Sequence, residues 1–327
     1  MNNRKPWDIP TFVISIDTEL AWGSFDHKDF ENIKWKFEGE RKVINKLLSL
    51  LEKYTITATW AIVGHLFLDS CSISNGIKHR EIIRPQYSWY KKDWFEKDPT
   101  SNIKDEPIWY GKDIVEWIRN SKTEQEIACH SFSHIIFGDP GCSAETAESD
   151  IGACINIAQE IGMSFKSFIF PRNAEGCLSV LKQYGFTAYR GMDKTWFYDI
   201  QQKKLQKIFH YLDELLMISP RSVQIEEPLE GLFNIPGSML YLAKDGVRSF
   251  IPVSFRVKKA KKGIDKAIKN KEIFHLWFHP FNLVGHYEDK MLSAFEEILQ
   301  YANVKKKEGI LKIMTMQQIV ERYTNGR

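Results

Sequence analysis

Two histidines four residues apart, His130 and His134, occupy the segment His130-Ser131-Phe132-Ser133-His134, which follows a strand-like run at 126–129. Far away in sequence, two acids, Asp17 and Glu19, close the apolar run 11–17. Two imidazoles and a carboxylate delivered from another strand end make a divalent-metal ligand set. Three protein ligands leave one coordination position open, which marks a catalytic rather than a structural ion. With 9 histidines in the chain, an HxxxH pair is a weak signal alone, and a second pair, His275/His279, is present. Context separates the two. Around Ser131-Phe132-Ser133 the backbone can turn, so both rings of the first pair can reach one ion. The second pair lies inside the strand-like Phe274-His275-Leu276-Trp277-Phe278-His279, and residues four apart on a strand stand about 13 Å apart. Only His279, at the strand's end before Pro280, can reach a site at the strand ends; His275 reads as a core histidine. A carboxylate and a histidine on opposite sides of a hydrolytic water suit general base and general acid. Asp17 and Glu19 offer one base and one ligand.

These residues need a scaffold that gathers distant strand ends. Strand-length apolar runs at 11–17, 55–63, 124–129, 167–170, 186–190, 232–235, 272–279 and 310–314 alternate with helix-period segments at 39–54, 114–120, 143–161, 178–184, 205–217, 257–270, 290–304 and 316–323. Ser143 is the expected N-cap of its helix and Gly162 the expected stop. Sustained β-α alternation implies a parallel sheet covered by helices, and about seven units without a composition break predict a closed α/β barrel. In such barrels the chemistry sits at the C-terminal strand ends, where Asp17, His130, Pro171, Arg190 and His279 all fall. Two stretches break the rhythm, 65–110 with its many aromatics and 191–224. Both follow strand ends, so each is expected either to overhang the catalytic face as a lid or to pack against the barrel exterior. The chain, 1–327, reads as a single catalytic domain.

Composition sets bounds. In 327 residues, 43% are hydrophobic and 27% charged, as in an ordinary globular protein, and a net charge of +3 gives no argument for nucleic acid. The 10 Trp suit sugar-stacking surfaces as well as a core. The opening MNNRKPWDIP has no apolar stretch, and no run of about 18 apolar residues occurs, so neither a secretory leader nor a membrane span is expected. Cys71, Cys129, Cys142, Cys154 and Cys177 are odd in number and form no CxxC. They read as reduced thiols of a cytoplasmic protein, with spacings that argue against a zinc role. The lysines of 258–262, with Lys266, Lys269 and Lys271, read as a solvated helix face. Their functional alternative is attraction to phosphate, on a nucleotide sugar or on lipid headgroups in a peripheral membrane contact.

Taken in order, the residues resemble the polysaccharide deacetylase family, the NodB-homology group of carbohydrate esterase family 4. The resemblance rests on Asp-x-acid after the first strand, His-Ser-x-x-His after the third, a proline turn after the fourth and Leu-x-x-His on a late strand, from about Phe12 to His279. The phrases Ser15-Ile16-Asp17-Thr18-Glu19-Leu20-Ala21-Trp22-Gly23 and Phe170-Pro171-Arg172-Asn173 look like a cytoplasmic subgroup linked to surface-polysaccharide or O-antigen biosynthesis. The resemblance implies a deformed (β/α) barrel of the NodB type and metal-dependent N-deacetylation. By that analogy Asp17 is the general base, His130 and His134 are metal ligands, and His279 is the acid that protonates the leaving amine. The backbone N–H of Arg172 would help hold the oxyanion. The ion would be zinc, with nickel, cobalt or another divalent metal as alternatives. The sequence departs from the family pattern at two places. Thr18 stands where a second aspartate is usual, so Glu19 is taken as the third ligand. Ile169 stands where an arginine usually braces the base, which leaves Arg172 or Arg190 to replace it. Asp193 is the candidate to orient His279, and Trp22, Pro171, Asn173 and Arg190 are candidates for substrate contacts. The implied substrate is an N-acetylated sugar on a nucleotide, lipid or glycan precursor. The alternatives are a deformylase or other C–N amide hydrolase on the same barrel, and a catalytically silent sugar-binding or scaffold protein.

Overall fold

The computed structural model describes residues 6–195 and 202–325. Its strands are β1 (Thr11–Thr18), β2 (Thr59–Ile62), a small hairpin of β3 (Ile73–Ser74) and β4 (Ile77–Lys78), β5 (Glu126–Cys129), β6 (Ser167–Ile169), β7 (Ala188–Arg190), β8 (Glu226–Leu229), β9 (Leu232–Asn234), β10 (Met239–Leu240), β11 (Ile273–Phe278) and β12 (Lys312–Ile313). The main sheet runs β10-β11-β1-β2-β5-β6-β7-β9-β8, with β12 also pairing β1. Every pairing in it is parallel except β8 with β9. The segment from Leu232 to Leu240 crosses the remaining gap: it starts against β7 and ends against β11. Ile235 N–H donates to Tyr189 O and Ser238 N–H to His275 O, so the curled sheet closes on itself. The result is a deformed α/β barrel with seven strand positions around it.

The helices are α1 (Phe30–Tyr54), α2 (Lys112–Arg119), α3 (Ala144–Glu160), α4 (Leu178–Gln183), α5 (Lys203–Leu215), α6 (Val253–Asn270), α7 (Glu288–Lys307) and α8 (Met316–Asn325). Ser143 caps α3 by accepting from the Thr146 N–H, and Gly162 follows the helix at φ +68°. α1 begins well before residue 39. Gly39 lies inside it because a Cβ there would meet Val284 Cγ1 at 2.6 Å. None of the helices among the described residues is long and apolar enough to cross a membrane.

Strand periodicity sorts the core. On β1 the residues Phe12, Ile14 and Ile16 face the helix layer, and so do Phe274, Leu276 and Phe278 on β11. The opposite face lines the barrel. At its base Val13, Ala61, Ala128, Ile169, Ala188 and Ile273 pack with Met316, Ile319 and Val320 of α8, which plugs the bottom. One step up the same face are Ser15 and His275, then Asp17 and Trp277, then His279. The barrel interior therefore turns from apolar to ionisable along a single period-2 register, and its polar layer opens at the C-terminal strand ends.

The first insertion, 65–110, packs its aromatics inward over this end. Tyr87, Trp94, Trp109 and Tyr110 are buried, and Ile108 O accepts from Ala21 N–H, two residues beyond Glu19. Within the second, residues 196–201 lie outside the described residues. In the basic stretch Lys259 is buried and pairs with Asp213 and Glu214, joining α5 to α6, while Lys258, Lys262, Lys269 and Lys271 are exposed.

Candidate metal and catalytic centre

Each chemical side chain is placed by a local device. After β1 the chain makes a tight 3-10 turn, Leu20–Gly23, with Leu20 at φ +48°. It folds Glu19 back over the barrel end, so closely that a Cβ on Gly23 would lie 1.7 Å from Glu19 Oε2. After β5 the His130–His134 turn puts Ser131 (φ +66°) and His134 (φ +59°) in the left-handed region, which is costly for non-glycine residues. Asp150 of α3 offsets that cost. Its Oδ1 accepts from Ser131 Oγ (2.7 Å) and Phe132 N (2.7 Å), and its Oδ2 from Ser133 N (3.1 Å) and Ser133 Oγ (2.9 Å).

His130 Nδ1 lies 2.7 Å from the Ile169 carbonyl. A carbonyl can only accept, so Nδ1 is a donor, and in the neutral ring, the form that binds a metal, Nε2 presents its lone pair. That lone pair points at Glu19 Oε1, 2.9 Å away, and His134 Nε2 lies 3.1 Å from the same oxygen. All three side chains are buried. An imidazole lone pair facing a carboxylate is an acceptor facing an acceptor, an arrangement that calls for a cation. Burial also holds His134 below the ordinary histidine value, in the neutral form that a ligand needs. Glu19, His130 and His134 thus fit a divalent ion on geometry and on donor chemistry.

Asp17 is 2% exposed. Burial pushes its pKa up, but Arg190 outweighs burial and holds it below the ordinary carboxylate value. The contact is a two-pronged fork, Arg190 Nη1 to Oδ1 (2.7 Å) and Nη2 to Oδ2 (2.6 Å). Arg190 also donates to Ser15 Oγ (2.8 Å) and Asn173 Oδ1 (3.1 Å), and its guanidinium lies over the Trp277 ring. His275 Nε2 reaches Ser15 Oγ at 2.9 Å and its Nδ1 lies 3.2 Å from Ile235 O. It is fully buried, as a core histidine should be, and supports the base from below. His279 Nε2 is 3.7 Å from Asp17 Oδ2 and 3.3 Å from Glu19 Oε1. Burial opposes its protonation, but Glu19 and then Asp17 outweigh that and raise its pKa.

Other expected positions differ. Trp22 is not at the surface of the site: it is fully buried, donates to Trp109 O and packs on His65, because the insertion covers it. Arg190 faces Asp17 rather than the open end. Asp193 lies on Trp277, accepting from Nε1 at 2.8 Å, and not on His279. Pro171 is buried in a 3-10 turn in which Arg172 (φ +55°) and Asn173 (φ +52°) are left-handed. The Arg172 side chain swings outward to Asp26, and over the Trp89 ring. Asp150 and Glu40 went unread in the sequence. Glu40 is fully buried, and burial together with the Glu19 charge drives its pKa well up. Both signals were present: each carboxylate interrupts the apolar face of its helix, between Phe37 and Ile44 and between Ala147 and Cys154.

No family model and no curated protein matches the chain. Solved structures do. A provisionally named polysaccharide deacetylase from Mycobacterium smegmatis superposes with a TM-score of 0.61 at 13% identity, over 99% of this chain and 94% of that one. A second, from Pseudomonas aeruginosa PAO1, gives 0.59 at 12% identity over 99% and 95%. A structure named as Puue allantoinase gives 0.59 at 11% identity over 98% and 92%. At these identities the likeness is one of fold.

Proposed function

We propose that this chain, which has the polysaccharide deacetylase fold, is a metal-dependent amide hydrolase that removes the acetyl group from an N-acetylated sugar, acting as one catalytic domain. One observation carries the reading: Asp17, Glu19, His130, His134 and His279, from three distant strand ends, converge around Glu19 Oε1 at the open end of the barrel.

Glu19, His130 and His134 would hold the ion. When bound, it supplies Lewis acidity at the acyl oxygen. Asp17, kept ionised by Arg190, accepts a proton from water as the water oxygen bonds to the acyl carbon. Glu19 and Asp17 raise the His279 pKa and so favour the protonated ring, which donates to the nitrogen as the C–N bond breaks. The products are acetate and a free amine. The left-handed turn at Arg172 offers a backbone N–H for the developing oxyanion. Half-exposed Trp89 beside Arg172 offers a face on which a sugar ring can stack. A nucleotide- or lipid-linked sugar in the cytoplasm fits the exposed lysines of α6.

The test is release of acetate from a panel of nucleotide-linked N-acetyl sugars by metal-free protein supplemented with zinc, nickel or cobalt. Acetate release that depends on added metal is expected. Formate from N-formyl sugars, or opening of cyclic amides, without acetate release would move the chain to the other amide hydrolases. That second reading is favoured by the allantoinase among its structural neighbours. No release with any acyl donor would leave a sugar-binding protein.

A further inference from the structure

Within the 65–110 insertion, four side chains of metal-ligand type meet away from the centre described above. The donor atoms of His65, Cys71, His79 and Asp98 all lie within 4.8 Å of one another. Asp98 Oδ2 is central: His79 Nε2 stands 2.9 Å from it, Cys71 Sγ 3.5 Å and His65 Nε2 3.5 Å. Ligands on a tetrahedral zinc, at about 2.0–2.3 Å from the metal, stand roughly 3.3–3.8 Å apart. Asp98 Oδ1 is taken by the Thr100 N–H at 2.9 Å, which leaves Oδ2 for the cluster.

His65 supplies the decisive detail. Its Nδ1 lies 3.1 Å from the Trp109 carbonyl, so Nδ1 holds the proton, as in metal-ligating histidines whose other nitrogen is tied to a carbonyl. In the neutral ring its Nε2 is then a lone pair, fully buried and turned toward the Asp98 carboxylate 3.5 Å away. A buried lone pair aimed at an anion is satisfied by a cation between them, either a proton or a metal ion, and the four donors gathered here suit the metal. Cys71 Sγ lies 3.2 Å from Tyr110 Oη, and either atom can be the donor, so the contact also suits a thiolate bound to a metal.

We propose that His65, Cys71, His79 and Asp98 bind a second divalent ion, zinc by its donor set, which is structural and pins the insertion to the barrel. Four protein ligands close the coordination shell, and thiolate with two imidazoles disfavours calcium and magnesium. For Cys71 this proposal departs from the expectation that no cysteine serves zinc. Its partners come from separate turns rather than from a CxxC pair. The ion would tie the turn after β2, which carries His65, to residues up to 33 positions onward, and Trp22 packs on the His65 ring.

The test is elemental analysis with zinc X-ray absorption on protein purified with zinc. The ligands of the first centre include no sulfur, so a Zn–S path at about 2.3 Å reports the second site alone. Wild-type protein should show that path. His130→Ala/His134→Ala should keep one equivalent of zinc with the sulfur path, and Cys71→Ser should lose the path while retaining the other ion. The sulfur path is read first in wild-type protein, so the result does not hinge on any variant folding. Wild-type zinc with only nitrogen and oxygen neighbours, or a metal-free His130→Ala/His134→Ala protein that remains folded, overturns the proposal.

Discussion

Glu19 Oε1 lies within 3.3 Å of three imidazole nitrogens, on His130, His134 and His279, so two overlapping donor groups share it. Substitution separates the roles of the acids. Glu19→Gln should lose the ion from this centre. Asp17→Asn should keep it and lose turnover by roughly 10²–10⁴, the usual worth of a positioned base. Metal content and kcat measured on both variants check this, and the opposite pattern would exchange the two roles. Arg190 sets the working range of Asp17. Arg190→Met leaves a buried carboxylate unpaired, at a stability cost of roughly 3–5 kcal/mol. With the guanidinium gone, burial is opposed only by His279 and His130, and the Asp17 pKa rises. Because the base must be ionised, the acid limb of kcat/KM should move to higher pH. Arg190→Lys should restore only part of this shift, since an ammonium lacks the fork. A pH profile of kcat/KM with an unmoved acid limb would place proton acceptance on another group.

Short turns after strands, more than the strands themselves, aim these residues. Gly23→Ala should abolish tight metal binding at the first centre while leaving the far-ultraviolet circular dichroism unchanged, because the new methyl takes the place of the Glu19 carboxylate. Titration with zinc would show it, and unchanged affinity would mean that Glu19 has another way to reach the ion. The strand ends and the His130 turn were legible in sequence because the period-2 register and the Ser-Phe-Ser turn are local signals. Arg190 stood beside Arg172 as a candidate brace, but the choice between them was not legible, because Asp17 is 173 positions away and nothing local distinguishes a guanidinium aimed inward from one aimed out. The first third of α1, Phe30–Glu38, was missed because charged residues interleave there and Gly39 looks like a boundary. β8 and β10 escaped because β8 is half exposed and β10 is two residues long. The buried carboxylates Glu40 and Asp150 were visible as breaks in apolar helix faces, a signal that is easily taken for noise.

At the scale of the molecule, the barrel's closing seam carries its own pH dependence. Asp193, just beyond β7, accepts from Trp277 on β11, and a Cβ on Gly237 of the bridging segment would fall 1.8 Å from Asp193 Oδ1. Burial raises the Asp193 pKa to about 6, against 3.8 for a free aspartate. Between those values the folded protein holds a proton that the unfolded chain has released. This group therefore favours folding most below about pH 4, and that contribution is lost as pH rises to about 6, on the order of 2–3 kcal/mol in all. Asparagine keeps an acceptor for Trp277 and cannot ionise. Asp193→Asn should melt a few degrees above wild type at pH 7.5 and close to it at pH 4. Equal melting temperatures at both pH values would show that the seam carries no such penalty.

The place of β1 in the sheet has a consequence in time. It is made long before one of its partners, since one of its two edges pairs with β11, beginning at Thr11 opposite Ile273. About 260 residues must be synthesised before that edge finds its partner, which at about 5–20 residues per second takes roughly 13–50 seconds. During that interval Thr11–Thr18, buried along its whole length in the finished barrel, presents an unsatisfied row of backbone donors and acceptors flanked by Phe12, Ile14 and Ile16. The nascent chain is thus most open to pairing with a neighbouring copy during its own translation, through the same strand that later carries Asp17 to the barrel mouth.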